Sequence, residues 1–243
     1  MSSPIPPVCV VPCAGNGQRA RTALPKQYQP IAGEPMVMHT IKALSQVQAL
    51  AHIDVIVSPG DATLPALLAQ ARWDTSRVRV RDVGGATRAL SVQAGLQALL
   101  DQGQDAQTWV LVHDAARCLI DPADVRRLIE QGRQDPVGAL LARPMSDTVK
   151  RAQTEGERVR VLRTEDRDGL WLAQTPQMFR LGPLRQAYAQ AGDAVTDEAS
   201  AMQACGLQPL LVPCDGLNLK VTYPQDVEWA KAWLLRPTHK DAP

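Results

Sequence analysis

Short, nearly unbroken apolar runs alternate with segments of helical periodicity along most of the chain, and this rhythm restricts the fold more than any other feature. The apolar runs cover residues 8–11, 53–57, 78–80, 109–112, 137–141 and 210–212. Helical segments cover 35–47, 62–71, 88–100, 122–131 and, after Thr222 as expected N-cap, 224–235. Strands that are apolar on both faces are typical of parallel sheets covered by helices on both sides. We therefore predict an α/β fold with a doubly wound, mostly parallel sheet and with ligands at the carboxyl ends of its strands.

The rhythm breaks between Pro144 and Leu170, where apolar and polar residues alternate. Segments 147–152 and 159–163 flank the polar turn 154–157, which is a hairpin pattern. A projecting hairpin cannot bury an apolar face alone. A subunit contact would cover that face, and packing against its own domain would also do so. We treat residues 1–243 as a single domain with this β-arm at about 144–170.

Charge and composition exclude several classes of partner. The chain has 26 Lys and Arg against 25 Asp and Glu, a net charge of +1, so no global field draws it to nucleic acid or to a membrane surface. A single Phe argues against a base-stacking platform. No apolar stretch reaches the ~18 residues of a membrane span, and the first residues do not form a signal peptide. We expect neither nucleic acid nor membrane as a partner.

The cysteines indicate the compartment. None of the five forms a C-x-x-C pair; they are Cys9, Cys13, Cys118, Cys205 and Cys214. Free, mostly buried thiols in a reducing environment explain this usage better than zinc ligands or disulfides do. A cytoplasmic location follows as an expectation.

A glycine-containing loop follows the first apolar run and leads to two basic side chains. The loop is Cys13-Ala14-Gly15-Asn16-Gly17-Gln18-Arg19, and Lys26 comes shortly after it. Glycines just after a strand let backbone N–H groups approach a phosphate. The loop is not a Walker A motif, and it lacks the third glycine of the dinucleotide fingerprint. By itself it fits an ordinary turn equally well, whereas Arg19 and Lys26 favour a triphosphate.

Polar residues also follow two later strands. Asp114 and Arg117 come after the run at 109–112; an aspartate there commonly positions a divalent metal or a ribose hydroxyl, and an arginine pairs with phosphate. The neighbouring His113 is expected to be a packed, hydrogen-bonded residue. Gly84 and Gly85 precede the helix that contains Ser91, and the backbone of that helix N-terminus suits a nucleobase or ribose.

Two segments near the C-terminus contain further candidate ligand-binding residues. Thr196 or Asp197 is expected to be a helix N-cap, a role that can coexist with a ligand contact. Residues 218–222 are expected to form a short strand in which Lys220 points inward. A lysine in an apolar strand is costly unless it is paired, so an anionic substrate is a reasonable partner.

Together these motifs resemble those of the 2-C-methyl-D-erythritol 4-phosphate cytidylyltransferase family of non-mevalonate isoprenoid synthesis. The matching blocks follow the family order over nearly the whole chain: Ala14-Gly15-x-Gly17-x-Arg19 with Pro25-Lys26-Gln27-Tyr28, Gly84-Gly85-x-x-Arg88-x-x-Ser91-Val92, Val112-His113-Asp114-Ala115-Ala116-Arg117, Asp147-Thr148-x-Lys150-Arg151, Leu170-Trp171-x-Ala173-Gln174-Thr175-Pro176-Gln177, Thr196-Asp197-Glu198-Ala199-Ser200-Ala201 and Asn218-x-Lys220-Val221-Thr222. Each block is modest, but their joint occurrence is specific.

The resemblance implies a Rossmann-like homodimer that transfers CMP from CTP to a polyol phosphate, 2-C-methyl-D-erythritol 4-phosphate, with Mg²⁺ as cofactor. The catalytic residues it implies are Arg19, Lys26, Arg167 and Lys220. The nucleotide contacts are Cys13, Ala14, Gly15, Asn16, Gly17, Gly84, Gly85, Arg88, Ser91, Asp114 and Ala115. The substrate contacts are Asp114, Arg117, Thr148, Arg167, Thr196 and Lys220, with Thr148 and Arg167 reaching the neighbouring subunit's site. Asp114 and Asp215 are the candidate metal ligands.

Three positions depart from the family pattern. Cys13 stands where alanine is usual, Ala86 at an often acidic position, and Cys118 where proline commonly follows the Asp-Ala-Ala-Arg motif. None of these changes removes a charged group that the chemistry needs. Two alternatives stay open at this point: a ribitol-5-phosphate cytidylyltransferase, and a nucleotide-binding module without catalytic activity.

Overall fold

A computed structural model describes residues 5–15, 25–192 and 195–236 of the 243-residue chain. Its strands are β1 Val8–Pro12, β2 Pro30–Ile31, β3 Glu34–Pro35, β4 Ile53–Ile56, β5 Val78–Arg81, β6 Trp109–Val112, β7 Gly138–Pro144, β8 Val149–Glu155, β9 Arg158–Glu165, β10 Trp171–Arg180 and β11 Leu210–Pro213. Its helices are α1 Met36–Ser45, α2 Thr63–Ala69, α3 Arg88–Asp101, α4 Pro122–Gly132, α5 Leu181–Ala191, α6 Glu198–Ala204 and α7 Pro224–Leu234, with a 3-10 turn at Lys26–Tyr28.

Seven strands form the central sheet in the order β11-β7-β10-β6-β1-β4-β5. Its pairs are parallel except those of β10, which runs antiparallel to both β6 and β7. The mostly parallel sheet and the strands predicted at the six apolar runs are confirmed. Strand β10 was not predicted, because Gln174, Thr175 and Pro176 interrupt its apolar pattern and its pairing with β7 shifts register there.

Helices cover both faces of the sheet, as a doubly wound fold requires. On one face α1, α2 and α4 bury residues such as Ile41 against Cys9 and Val11 of β1. On the other face α3, α5 and α6 pack against Val8 and Val10 of the same strand. Successive strand residues therefore enter different cores, which explains why the strand is apolar throughout.

Side-chain caps set the starts of the helices near the carboxyl ends of the strands. The Thr87 hydroxyl accepts from the Leu90 N–H at 3.1 Å and begins α3. Asp197, one of the two predicted caps, accepts from the Ser200 N–H at 2.8 Å and begins α6. The predicted cap Thr222 was wrong, because Tyr223 is the N-cap of α7.

The short strand predicted at 218–222 was also wrong. These residues form an irregular segment. Asn218 is tied by its side-chain amide to the Thr175 carbonyl at 2.7 Å, and the Val221 N–H donates to the Ala116 carbonyl at 2.8 Å. Single contacts to β10 and to the segment after β6 take the place of a ladder of strand hydrogen bonds.

The predicted hairpin is present between β7 and β10. Strands β8 and β9 pair antiparallel with each other in a separate two-stranded sheet. Val159 and Val161, on one face of β9, are 72% and 63% exposed, and Leu162, where the pairing with β8 shifts register, is 50% exposed. Within the described ranges, no helix has both the length and the apolar character needed to cross a membrane.

Candidate active site

A cleft of about 240 Å³ opens at the carboxyl ends of β1 and β6. The chain leaves β1 for β4 and β5 on one side and then continues to β6 on the other, which makes this the switch point where α/β sheets bind ligands. The residues lining the cleft are Pro12, Cys13, Ala14, Gly15, Lys26, Gln27, Arg88, Ser91, Asp114, Ala115, Ala116 and Lys220.

The segment after β1 forms one wall of the cleft. The Gln27 side-chain amide donates to the Cys13 carbonyl at 2.9 Å, and the Ser58 hydroxyl donates to the Ala14 carbonyl at the same distance. A Cβ on Gly84 would lie 2.2 Å from the Ala14 Cβ, so only glycine permits this approach. Burial raises the pKa of the Cys13 thiol to about 12, so this departure from the family pattern adds no nucleophile.

Asp114 lies at the centre of the cleft and contacts three cationic side chains. Its Oδ1 accepts from Arg88 Nε at 2.7 Å, and its Oδ2 lies 2.8 Å from Lys220 Nζ and 3.8 Å from Arg117 Nε. Burial alone would raise the pKa of Asp114, but Arg88 and Lys220 outweigh burial and hold the pKa well below its usual range. The carboxylate is therefore ionised at physiological pH.

Arg88 connects Asp114 to a second carboxylate. Its Nη1 and Nη2 donate to Glu198 Oε1 and Oε2 at 2.8 and 3.0 Å, and the Tyr188 hydroxyl donates to Oε1 at 2.7 Å. Burial opposes the charged form of Arg88, yet Glu198 and Asp114 together raise its pKa well above the ordinary value. Glu198 is fully buried, so this is a desolvated, charge-paired network.

A chain of neutral hydrogen bonds supports Asp114 from behind. The Asp114 N–H donates to Thr175 Oγ1 at 3.0 Å, Thr175 Oγ1 lies 3.1 Å from His113 Nδ1, and His113 Nε2 lies 3.2 Å from the Arg117 carbonyl. A carbonyl only accepts, so Nε2 carries the proton and Nδ1 accepts from the threonine hydroxyl. Burial lowers the pKa of His113 to about 4. The expectation of a packed, hydrogen-bonded histidine is confirmed.

A second cavity, of about 330 Å³, adjoins the cleft and shares Lys220 with it. Arg117 and Asn218 line its polar side, and Arg117 Nη1 donates to the Asn218 carbonyl at 2.6 Å. In the described part of the chain, Arg117 Nε and Asn218 Oδ1 are buried without a hydrogen-bond partner. Arg117 and Lys220 give this cavity two cationic side chains, which suit an anionic ligand such as a phosphorylated polyol.

The structure brings most of the predicted residues together. Nine of them line the cleft: Cys13, Ala14, Gly15, Lys26, Arg88, Ser91, Asp114, Ala115 and Lys220. Gly84 and Gly85 adjoin this wall, with the Gly85 N–H donating to Ser91 Oγ at 3.1 Å, and Arg117 contacts Asp114. Asn16, Gly17 and Arg19 lie outside the described residues.

Four further predicted residues do not line the cleft. Thr148 and Arg167 belong to the β-arm region, where Arg167 donates to the Ser146 carbonyl. Thr196 is exposed just before α6, and Asp215 forms an ion pair of 2.9 Å with Arg127.

Sequence reasoning missed three residues of the network: Glu198, Tyr188 and Thr175. Glu198 follows a helix cap, where an acidic side chain is ordinarily exposed and merely favourable to the helix dipole. Thr175 lies in the undetected strand β10. A usable signal was the family match of the blocks that contain Glu198 and Thr175, whereas no motif pointed to Tyr188.

Asp114 is the one acidic residue among those described that line the cleft, and no group of three or more metal-ligating side chains occurs in the described ranges. This donor set fits Mg²⁺, which is commonly held by one or two carboxylates together with substrate phosphates and water. It does not fit a metal that needs a cage of protein ligands. The ion pair of Asp215 with Arg127 gives no support to Asp215 as a second ligand.

The chain is similar to known proteins of one family. A family model described as 2-C-methyl-D-erythritol 4-phosphate cytidylyltransferase matches residues 8–236. A curated relative from Albidiferax ferrireducens, "Bifunctional enzyme IspD/IspF", is 50% identical over 233 residues, which are 96% of this chain and 54% of the relative. The chain thus spans about half of that relative's length. The 2-C-methyl-D-erythritol 4-phosphate cytidylyltransferase of Paraburkholderia phytofirmans is 46% identical over 231 residues, 94% of this chain and 95% of the relative.

Solved structures are similar over almost the whole chain. A crystal structure of 4-diphosphocytidyl-2C-methyl-D-erythritol synthase has a TM-score of 0.82 and 36% identity, covering 96% of this chain and all of the other. The 2-C-methyl-D-erythritol 4-phosphate cytidylyltransferase of Francisella tularensis has a TM-score of 0.75 and 31% identity, covering 94% and 99% of the two chains.

Proposed function

The chain belongs to the 2-C-methyl-D-erythritol 4-phosphate cytidylyltransferase family, and we propose that the cleft around Asp114 is where it joins CMP from CTP to the phosphate of 2-C-methyl-D-erythritol 4-phosphate. The products are 4-diphosphocytidyl-2-C-methyl-D-erythritol and pyrophosphate. One observation carries the proposal: a single ionised carboxylate, Asp114, holds Arg88 and Lys220 in a cleft whose other wall carries Lys26. Such a cleft presents fixed positive charge to two phosphorylated ligands.

We assign the nucleotide to the wall formed after β1 and β5. The backbone at residues 13–15 and the Gly84-Gly85 pair lie close enough for main-chain groups to contact a base and a phosphate. Lys26, together with Arg19 of the same loop, would neutralise the triphosphate. These two side chains then stabilise the extra negative charge that develops at the α-phosphorus in the transition state.

We assign the sugar phosphate to the side of Lys220 and Arg117. The phosphate monoester is already mostly dianionic at neutral pH, because its second pKa is about 6. One of its oxygens attacks the α-phosphorus of CTP in line, the new O–P bond forms as the bond to the β-phosphate breaks, and pyrophosphate leaves with the electron pair. No general base is required, which agrees with a neutral His113 that is fully engaged in hydrogen bonds. Positioning and charge neutralisation supply the catalysis.

Mg²⁺ is part of the proposal. Asp114 would hold it against the phosphate oxygens of CTP, where it would neutralise charge on the leaving pyrophosphate. The chain's own contribution is to keep Asp114 ionised and oriented through Arg88, Lys220 and the Thr175 hydrogen bond.

A homodimer and a cytoplasmic location complete the proposal. The exposed apolar residues of the β-arm need a covering surface, and a second copy would also bring Thr148 and Arg167 to a site that otherwise lacks them. All five cysteines are unpaired, which supports a reducing compartment.

Turnover tests the assignment directly. The unaltered enzyme with CTP and Mg²⁺ is expected to release pyrophosphate with 2-C-methyl-D-erythritol 4-phosphate faster than with ribitol 5-phosphate. Lys26→Ala should lower kcat by on the order of 10²–10³, because the triphosphate loses a fixed charge. Lys42→Ala, which removes an exposed lysine on α1, is the matched control and should keep native turnover.

Three results would contradict the proposal. Near-native turnover by Lys26→Ala would contradict the role of Lys26 in binding the triphosphate. Faster turnover of ribitol 5-phosphate would show that this compound, and not 2-C-methyl-D-erythritol 4-phosphate, is the preferred substrate. CTP binding without turnover of either polyol phosphate would indicate a non-catalytic nucleotide-binding module.

A further inference from the structure

We propose that Glu198 is a positioning residue for cytidylyl transfer: through Arg88 it fixes the carboxylate of Asp114, so that one oxygen of that carboxylate remains available to Lys220. The inference rests on the proposed site. It adds a second carboxylate that does not line the cleft and that acts on the reaction only through another side chain.

The geometry leaves the Arg88 guanidinium almost no freedom. Two of its nitrogens face both oxygens of Glu198 in a fork-to-fork pair, and its Nε faces Asp114 Oδ1. The Tyr188 hydroxyl donates to Glu198 Oε1 at 2.7 Å and so fixes the carboxylate from the far side. Glu198 holds one edge of the Arg88 guanidinium and Asp114 contacts the other. The position of Glu198 therefore determines where Arg88 holds the carboxylate of Asp114.

Glu198 is not needed to start its helix. Asp197 caps α6 and accepts from the Ser200 N–H, while Ser200 Oγ accepts from the Asp197 N–H at 3.1 Å. Gln177 fixes the same turn from β10: its Nε2 donates to Asp197 Oδ2 at 2.8 Å and its Oε1 accepts from the Ala199 N–H at 2.7 Å. Glu198 is fully buried and is not needed to cap its own helix. We therefore assign its role to the contact with Arg88.

The charges explain what that role is. Asp114 has three cations within 4 Å, namely Arg88, Lys220 and Arg117. A buried arginine with no other anion would take both oxygens of Asp114, because a bidentate guanidinium pair is stronger than a lysine contact. Glu198 satisfies Arg88 separately. Lys220 therefore keeps its 2.8 Å contact with Oδ2 and its place beside the nucleophilic phosphate.

The test is Glu198→Gln in the full chain, assayed with CTP, Mg²⁺ and 2-C-methyl-D-erythritol 4-phosphate. We expect kcat to fall by about tenfold or more, because glutamine lacks the charge that holds Arg88. The KM for CTP should change by less than about threefold, because the loop after β1 is untouched. Asp54→Asn is the matched control: it neutralises another buried carboxylate, 3.4 Å from Arg81 and outside the cleft, and should lower thermal stability without changing kcat.

A second measurement separates positioning from general loss of stability. In the Lys220→Met background, Glu198→Gln should lower kcat by less than about threefold, because the residue through which it acts is already gone. Equal effects in both backgrounds would overturn the inference, as would native kcat in folded Glu198→Gln. If Glu198→Gln does not fold, Tyr188→Phe is the alternative test, because it removes the hydroxyl that donates to Glu198. We expect kcat of Tyr188→Phe to fall by about threefold. Native kcat in this variant would overturn the inference. Absence of turnover by the unaltered chain would instead refute the proposed function.

Discussion

At the scale of single residues, Asp114 is held in place both by ion pairs to its side chain and by hydrogen bonds to its backbone. Charged partners reach its side chain through Arg88 and Lys220, whereas a neutral chain through Thr175 and His113 holds its backbone. These hydrogen bonds require a neutral His113. A proton on Nδ1 would point at the hydroxyl hydrogen of Thr175, which Nδ1 otherwise accepts. The burial that lowers the pKa of His113 to about 4 therefore also secures the backbone under the reacting groups.

This histidine makes stability depend on pH. The unfolded chain takes up a proton near its ordinary pKa of 6.5, and the folded chain only near 4. Between these values only the unfolded state is protonated, so stability present above pH 6.5 is lost as the pH falls toward 4. The native chain should lose about 2 kcal/mol of unfolding free energy at this site between pH 7 and pH 5.

Urea unfolding at the two pH values measures the loss. His113→Asn, which cannot titrate in this range, should show about 2 kcal/mol less pH dependence than the native chain. The same pH dependence in both proteins would contradict a buried neutral histidine.

At the scale of secondary structure elements, the β-arm is a hairpin whose apolar residues enter none of the buried hydrophobic clusters. Val159 and Val161 share one face of β9 and are mostly exposed. If the arm forms the proposed dimer contact, changing both to Lys should give a monomer and lower turnover at least about tenfold, because Arg167 could no longer reach a partner's site. Sedimentation velocity gives the oligomeric state, and a cooperative thermal melt shows that the variant still folds.

Leu235→Lys provides the control for added surface charge. Leu235 is 63% exposed at the end of α7, so this variant should remain dimeric and active. A monomeric native chain, or a double-lysine variant that stays dimeric, would refute the arm as the dimer contact.

The elements also explain what could be predicted from sequence. Parallel strands buried on both faces leave continuous apolar runs, so the strand at 109–112 was predictable, and alternation at 147–163 was enough for the hairpin. Strand β10 was not predictable, because polar residues and a proline interrupt its apolar run. The segment around Lys220 was wrongly predicted as a strand, because its course is set by contacts with Ala116 and Thr175 that no local pattern records. Glu198 is the extreme case: its partner Arg88 lies 110 residues earlier, and no local pattern records their contact.

At the scale of the whole molecule, the two proposed substrate sides belong to different halves of the sheet. The wall assigned to CTP follows β1 and β5, whereas the cavity assigned to the sugar phosphate is lined by residues of β10 and of the segment after β11, together with Arg117 from the segment after β6. Asp114 follows β6, between these halves. The reaction is thus placed where the two halves meet, and a partner's arm would close it from outside.

Shared sites predict complementation between two inactive proteins. Arg167→Ala lacks the group that would reach the partner's site in the proposed dimer, and Lys26→Ala lacks a group of its own cleft. Mixed dimers contain one site that retains both residues, so equimolar mixing after subunit exchange should restore about a quarter of native turnover if exchange is random. Pyrophosphate release measures it, with each variant alone as control. No recovery after confirmed exchange would contradict sharing.

The antiparallel course of β10 has one more consequence. Because β10 runs against β7, the arm leaves and re-enters the sheet at neighbouring positions: Pro144 pairs with Trp171, and the Met145 N–H donates to the Leu170 carbonyl at 2.9 Å. A parallel strand would have placed the two ends of the arm at opposite edges of the molecule. The length and sequence of the arm can therefore change without altering the strand pairing of the central sheet.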